Sequence, residues 1–450
     1  MKNRNTLDMT EGPIAKKLLL FAVPIILSSL LQRCYTIADS IVVGNFATDG
    51  TAAQAAIGAT LPAINIMLNL FLGFSIGANV VCAKQRGARD HAQLRKSMHT
   101  AVVLAVILGI VVMVLGICLS PSLLKLVNTP KDIQKDALLY MWIVFAGQPA
   151  AMVYNFCAAI MRSHGDTKRS MYILAITGLV NVGLNLVLVI CCHWNVAGVA
   201  VSTAVANVLS ALAALYLLFS KKGEYKLSLR ELRPDGRLLW NMISIGIPCA
   251  INGSLQSGSN LILQSSVNSF GEAVIAGNSA ATNINCFPYL VNDALSAACV
   301  SFSGQCCGAK IYKRLDKLAV RACLIDCVLV LVMAAGITIF ARPLLGLFNP
   351  DPMVTQTGLF KLILLSWTTV FFGISECLAG CVRGMGKPLS PMIINLFSMC
   401  GLRLIWTLVI FPLLPHQPEY LYLCFPISWF IAMLIHIGNY IICRRKLMAS

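Results

Sequence analysis

Charge is what this 450-residue chain has least of: Asp, Glu, Lys and Arg together make up 12% of it, against 58% hydrophobic residues. The mean hydropathy is +0.77. Soluble domains carry roughly a quarter charged residues, so the balance excludes a soluble enzyme or binding module and leaves a membrane protein. The short alternating pattern of an outer-membrane barrel is missing, which leaves helices as the spanning elements. No small-residue cleavage site closes the first apolar run, which follows Lys16 and Lys17 and is longer than a signal peptide's hydrophobic region; it reads as a retained first span. No GxxxxGK[ST] phosphate loop occurs, so nucleotide-driven work would require a separate subunit. The 18 cysteines form no CxxC pair and no His cluster stands at ligand spacing. Scattered as they are, for example Cys191 with Cys192 and Cys306 with Cys307, they read as buried free thiols rather than metal ligands or disulfides. No cofactor is implied, and nothing points to an enzyme.

What is present is a series of apolar runs, each long enough to cross about 30 Å of hydrocarbon as a helix. Twelve are expected, near 17–45, 53–83, 95–119, 133–160, 169–191, 196–219, 238–268, 274–305, 315–341, 353–382, 389–411 and 419–443. The formal charge of +17 could suggest nucleic acid, but 28 of the 35 Lys and Arg fall in the two tails and the even-numbered loops with their edges. Lys125, Lys131, Lys135 and Arg342 are the exceptions at the odd-numbered loops, and Arg33, Lys361 and Arg403 lie inside spans. That asymmetry predicts a multi-pass protein of the cell membrane with both termini in the cytoplasm, its basic loops facing anionic headgroups. The lipid bilayer, not nucleic acid, is the expected surface partner.

The longest polar stretch, 220–237, divides the spans six and six and contains Gly223, Pro234 and Gly236. It predicts an amino-terminal bundle over 1–219, a cytoplasmic linker over 220–237 and a carboxyl-terminal bundle over 238–450. The halves repeat one another. Pro24 and Gln32 recur as Pro248 and Gln256 at an offset of 224 residues. At an offset of 221, RGARDHAQLRK (86–96) lies over CGAKIYKRLDK (307–317), and IMRSHGDTKRSM (160–171) over CVRGMGKPLSPM (381–392). Three blocks in one order mean duplication. Six spans per half is an even number, so both copies share one topology and the pseudo-two-fold axis runs along the membrane normal. Such halves rock about a central cleft, which makes transport the leading class of function.

Within the first span, YTIADSIVVGNF (35–46) places Asp39 in an apolar segment, where a carboxylate costs about 2.5–3.5 kcal/mol at the bilayer centre. Ser28, Gln32, Tyr35 with Thr36, and Asp39 recur at spacings of three and four, so they form one polar stripe that must face a cavity, a cation or other polar helices. Arg33 stands six residues before Asp39 and is badly placed as its partner. Candidates for company are Asn181 and Asn185, one turn apart in GLVNVGLNLVLV of the fifth span, Thr203 in the sixth and Asn155 in the fourth. The same amides equally suit plain helix–helix glue. In the second half the intramembrane charges are Asp293, Asp326, Glu376 and Arg403, and Glu376 with Arg403 is the expected neutralising pair, with a binding role as the alternative.

These residues resemble a known family. The spacing of Pro24, Gln32 and Asp39, the RSHGD and RGMGK turns after spans four and ten, and the Asn181–Asn185 pair are similar to those of multidrug and toxic compound extrusion (MATE) transporters, most of all a DinF-like branch, over nearly the whole chain. The resemblance implies an all-α membrane fold of two six-helix bundles around a V-shaped cleft. It implies secondary active export of cationic or amphipathic small molecules, by alternating access, in exchange for protons or sodium ions. Asp39 then becomes the site of ion coupling, with Gln32, Tyr35, Asn181 and Thr203 lining the same cavity. Asn185 stands where many relatives have a second carboxylate, and Gln256 where a NorM-like branch has one. The expected coupling set is Asp39, Asn181, Asn185 and Thr203, with no metal beyond Na⁺ at Asp39. The expected substrate cavity includes Gln32, Tyr35, Asn155, Gln256, Glu376 and Arg403. The protein is expected to act as a monomer. The runner-up reading, from the same superfamily, is a flippase for a lipid-linked saccharide, whose pyrophosphate would call for more cavity cations than Arg33, Lys361 and Arg403.

Overall fold

The computed structural model describes residues 6–46, 50–126, 129–220, 227–348 and 351–448. Residues 221–226 of the expected linker lie outside the described residues.

Helices occupy all twelve expected positions. The first four spans are Ile14–Phe46, Gly50–Gly87, His91–Leu126 and the pair Lys131–Ala146 with Gln148–Ser163. The fifth runs from Lys168–Leu186 into a π-helical turn at Val187–Cys191, and the sixth is Asn195–Phe219. In the second half come Gly236–Val267, Glu272–Gly308, Tyr312–Ile339 and Pro352–Gly384. The eleventh span begins at Leu389–Asn395 and continues through alternating π and α turns to Phe411–Leu413; the twelfth is Cys424–Met448. Among the described residues ten single helices are long and apolar enough to cross a membrane, and the bent fourth pair makes an eleventh. The eighth, at 37 residues, is long enough but more polar, with Asn278, Asn285 and Asn292 buried along it.

The fourth span departs from the uninterrupted helix expected over 133–160: it bends by 43° at Gly147. Pro149 supplies the reason, since it has no N–H to donate back one turn and its ring crowds the preceding carbonyl. Capping follows ordinary chemistry at the tenth span, where the Asp351 side chain accepts from Met353 N at 2.8 Å and Pro352 takes the first turn.

Contacts group the chain into two compact units, 1–8 with 24–250 and 9–23 with 251–450. The divisions fall at Pro24 and two residues past Pro248, inside the first and seventh spans. The stretch 227–237 belongs to the first unit. In that unit the start of the seventh span packs on the second through small residues: a Cβ on Gly73 would lie 2.7 Å from the carbonyl carbon of Cys249, and one on Gly246 would lie 2.8 Å from Phe74 Cα. In the second unit the start of the first span packs on the eighth, with Phe21 edge-on to Phe302 at 5.7 Å. The core of the first unit is aliphatic around Phe145 and Phe156. That of the second is aromatic, with Tyr289, Phe372 and Trp429 packed at 5.3–6.1 Å.

The duplication is visible in the backbone. Gly165 and Gly386, equivalent in the two repeats, take φ of +76° and +81°, the left-handed conformation that glycine adopts without strain. Arg89 and Lys310, also equivalent, take the same region at +57° and +58° although neither is glycine. All 18 cysteines are free thiols; Cys34, Cys118, Cys191 and Cys192 are exposed rather than buried.

Candidate functional site

Three helices of the first unit meet at Asp39. The Asn185 amide nitrogen donates to Asp39 Oδ1, and Ser202 Oγ donates to the Asn185 carbonyl oxygen, so that amide is fixed at both ends. Asn181 satisfies both its ends with its nitrogen on Asp39 Oδ1 at 3.1 Å and its oxygen on the Thr203 backbone N–H at 3.2 Å, an orientation assigned from the hydrogen bonds. Two amide donors therefore converge on one carboxylate oxygen. Both amide oxygens are spent on the sixth span. Asn181 and Asn185 are one turn apart, so their side chains stack on one face, and both are buried. Two residues past Asn185 begins the π-turn at Val187–Cys191, a local widening common at functional sites.

Tyr35 belongs to the same stripe and locks the first span to the fifth. Its hydroxyl donates to the Ala175 carbonyl at 3.0 Å, and its ring lies on Gly178, where a Cβ would come within 2.5 Å of Tyr35 Cδ2. Gln32 is exposed, and its backbone carbonyl accepts from Thr36 Oγ1 at 3.0 Å. Asn155 is half-buried and spends an amide N–H on the Ala151 carbonyl of its own helix at 2.8 Å, rather than on the Asp39 cluster. Two members of the cluster were not anticipated. Ser202 sits one residue before the expected Thr203, and its GVAVSTAVAN context carries the signal. Tyr140, on the fourth span, lies within electrostatic range of Asp39, which no local pattern reveals.

The second unit holds a different arrangement. Glu376 does not pair with Arg403. It pairs with Arg383, two turns along the same helix, at 2.5 Å, and both are buried. Residues seven apart share a helix face, whereas Arg403 is held elsewhere. Its Nε donates to Ser428 Oγ at 3.2 Å and its guanidinium lies over Phe425 at 4.5 Å and Trp429 at 5.8 Å. The Glu376 pair is buttressed further: Asn395 Nδ2 reaches Glu376 Oε1 at 3.4 Å and Asn252 Oδ1 at 2.9 Å, while Asn395 Oδ1 meets His436 Nε2 at 2.9 Å. Such a network holds helices together. Lys361 is buried as well. It donates to Asn278 Oδ1 at 2.7 Å and Thr282 Oγ1 at 2.6 Å and sits over the Tyr422 ring at 5.5 Å. Gln256 is half-buried on the seventh span, and Asp293 is exposed on the eighth.

The MatE family model matches this chain twice, over residues 24–187 and 248–409. The chain belongs to the MATE family. The two matched segments begin at Pro24 and Pro248, at and within three residues of the divisions between the compact units. MATE proteins are transporters and not enzymes. This one is 23% identical to the probable multidrug resistance protein YoeA of Bacillus subtilis over 442 residues, covering 97% of this chain and 95% of YoeA. It is 27% identical over 397 residues to the probable multidrug resistance protein YpnP of the same organism, covering 88% of each. Its fold is similar to that of a multidrug resistance MATE family transporter of the MOP superfamily in an outward-facing conformation, with a TM-score of 0.91, 20% identity and full coverage of both chains.

Proposed function

We propose that this MATE protein is a secondary active multidrug exporter, releasing cationic or amphipathic compounds in exchange for an ion bound at Asp39. The observation that carries the proposal is the Asp39 cluster itself: a carboxylate inside a span, addressed by amides of the fifth span that are in turn anchored to the sixth. A group whose ionisation is costly in a bilayer is kept where a change in its charge alters the packing of three helices. The coupling ion in this reading is the proton. Sodium wants several oxygens, yet Asn181 and Asn185 turn nitrogens toward Asp39 and commit their oxygens to Ser202 and the Thr203 N–H. The names of YoeA and YpnP support multidrug transport.

The cycle follows alternating access. Facing outward, Asp39 takes up a proton, the two amide donors lose their anionic acceptor, and the three-helix packing that releases drug is favoured. Facing inward, the proton leaves, and the restored negative charge attracts a cationic substrate. One monovalent ion moving down ~100 mV supplies ~2.3 kcal/mol, plus its concentration gradient. The halves 1–219 and 238–450 act in this reading as the two rocking bundles of a monomer in the plasma membrane, with both termini cytoplasmic. The test is ethidium efflux from proteoliposomes under an imposed pH gradient. Asp39→Asn, which keeps the shape and removes the titrating group, should abolish gradient-driven efflux while leaving the protein folded. Wild-type efflux by that variant would overturn the assignment.

A further inference from the structure

A second polar site in the second unit has no role in the cycle above. Asp326, on the ninth span, is completely buried, and among the described residues neither of its carboxylate oxygens has a hydrogen-bond partner. Asn292, on the eighth span, is completely buried too, and both ends of its amide are unbonded. Both side chains converge on Gly373 of the tenth span: a Cβ there would lie 2.6 Å from Asp326 Cγ and 2.9 Å from Asn292 Oδ1. Only glycine leaves the carboxyl that room. Three helices thus enclose a carboxyl and an amide with four uncommitted polar atoms.

Charge does not compensate them. The titratable groups that sense Asp326 are the thiols of Cys323 and Cys327 on its own helix and of Cys377 on the tenth span; the eighth span presents Asn292. The ion pair of Glu376, next to Cys377 in sequence, closes on Arg383. An ionised Asp326 would therefore be a buried charge with neither a counter-charge nor a hydrogen bond, the costliest state a carboxyl can take. One proton removes the charge and turns one oxygen into a donor, for which Asn292 Oδ1 is a ready acceptor. Sodium would find a single carboxyl and one amide oxygen among thiols, too few hard ligands to replace its water.

The site is also connected. Asn278, Asn285 and Asn292 recur every seven residues, about two turns, so they share one face of the eighth span. That face meets the tenth span: Asn278 bonds Lys361 at 2.7 Å, and Asn285 accepts from Ser366 Oγ at 2.8 Å. Asn285 Nδ2 and Ser375 Oγ are buried and unbonded like Asn292. A polar seam with spare hydrogen-bonding capacity leads from Lys361 to Asp326.

We propose that Asp326, with Asn292, is a second proton-binding site of the transporter, loaded and unloaded along the Asn278–Asn285–Asn292 seam during each transport cycle. The step is a simple association: a proton adds to a carboxylate oxygen to give the neutral acid, and leaves the same oxygen to the opposite side of the membrane. The proposal rests on the reading of the protein as a proton-coupled exporter and adds one proton to its stoichiometry.

The experiment measures, in proteoliposomes with the membrane potential clamped at zero, the ethidium gradient at which net flux vanishes as the proton gradient is varied. For every tenfold step in proton gradient, each coupled proton contributes about a tenfold step in the balancing substrate gradient. Asp326→Asn should lower that response by about tenfold per step, and Asp326→Glu should restore it. A wild-type protein with no proton dependence, or one that responds to sodium in place of protons, overturns the proton-coupled exporter reading and the second site with it; a proton-dependent wild type matched by Asp326→Asn overturns the second site alone. An independent readout needs no change at Asp326: infrared spectra of the Asp39→Asn protein at neutral pH should show a buried carboxylic C=O band that responds to pH. Its absence would overturn the proposal even if Asp326→Asn failed to fold.

Discussion

Removing Arg383 should cost more stability than any other single side-chain truncation in the second unit's polar network, and the structure sets the size of the effect. In Arg383→Met the aliphatic stem keeps most of its packing, but Glu376 loses its 2.5 Å partner while remaining buried. What is left to it is one long bond from Asn395 at 3.4 Å, and Asn395 is already shared with Asn252 and His436. Breaking a buried pair by removing one partner costs about 3–5 kcal/mol, because the surviving charge is uncompensated. Replacing both partners together is a different perturbation: Glu376→Gln with Arg383→Met removes both charges and keeps an amide that Asn395 can still reach. Such replacements are often neutral and can stabilise, so the double variant should unfold within about 1 kcal/mol of wild type. Thermal unfolding of the detergent-solubilised protein, followed by tryptophan fluorescence, reads the three proteins side by side. If Arg383→Met costs less than about 1 kcal/mol, or the double variant is no more stable than the single one, Glu376 and Arg383 are not each other's principal partners.

Two further outcomes follow from individual contacts. Gly178→Ala places a methyl against the Tyr35 ring, which its hydroxyl bond to Ala175 holds in place; overpacking of this kind costs about 1–3 kcal/mol, visible in thermal unfolding, and pairing it with Tyr35→Leu should recover part of the loss. In the turn after the fourth span, burial and the nearby Arg86 charge hold His164 down to about 3 from its ordinary 6.5, so the folded protein keeps it neutral. The unfolded chain takes up that proton first, so stability from this residue is present above pH 6.5 and falls by up to about 1.4 kcal/mol per unit as pH drops from 6.5 toward 3; His164→Gln should flatten that part of the stability–pH curve measured by denaturant unfolding.

The spans and their repeat were legible because both are properties of local composition. Apolar length locates a span, and a constant offset exposes a duplication, which is why the turns at Gly165 and Gly386 match by sequence alone and also share a left-handed backbone. The Asp39 cluster was legible for a similar reason: residues one turn apart project together, so Asn181 with Asn185, and Tyr35 with Asp39, had to act as pairs. Asn155 and Glu376 show where that reasoning stops. A lone amide can satisfy itself on its own helix, as Asn155 does on Ala151, and period alone does not choose among the charges within reach. For Glu376 the local partner, Arg383, was available at seven residues on one helix face, and the more distant Arg403 had Ser428 and two aromatic rings to hold it. The bend at Gly147 was signalled by Pro149, but proline inside a span is tolerated at Pro24, Pro62 and Pro288 within continuous helices, so its presence does not by itself fix a break.

Duplication preserved geometry and released chemistry. Backbone features recur at matched positions: Pro24 with Pro248 at or close to the unit divisions, and Arg89 with Lys310 in the left-handed region. These are constraints of packing, and both copies must meet them to fold. The acids inside the spans obey no such symmetry. The first unit carries a half-buried acid on its first span, addressed by donors from the fifth; the second carries Gln256 at the repeat position of Gln32, spends Glu376 on an arginine pair and leaves Asp326, on its third span, with no hydrogen bond. A carboxylate already satisfied by an arginine has little to gain from a proton, whereas one held by neutral amides or by nothing has much. In the proposed cycle it is the unequal solvation of these three acids, rather than their number, that divides them into a structural pair and two proton-exchanging groups.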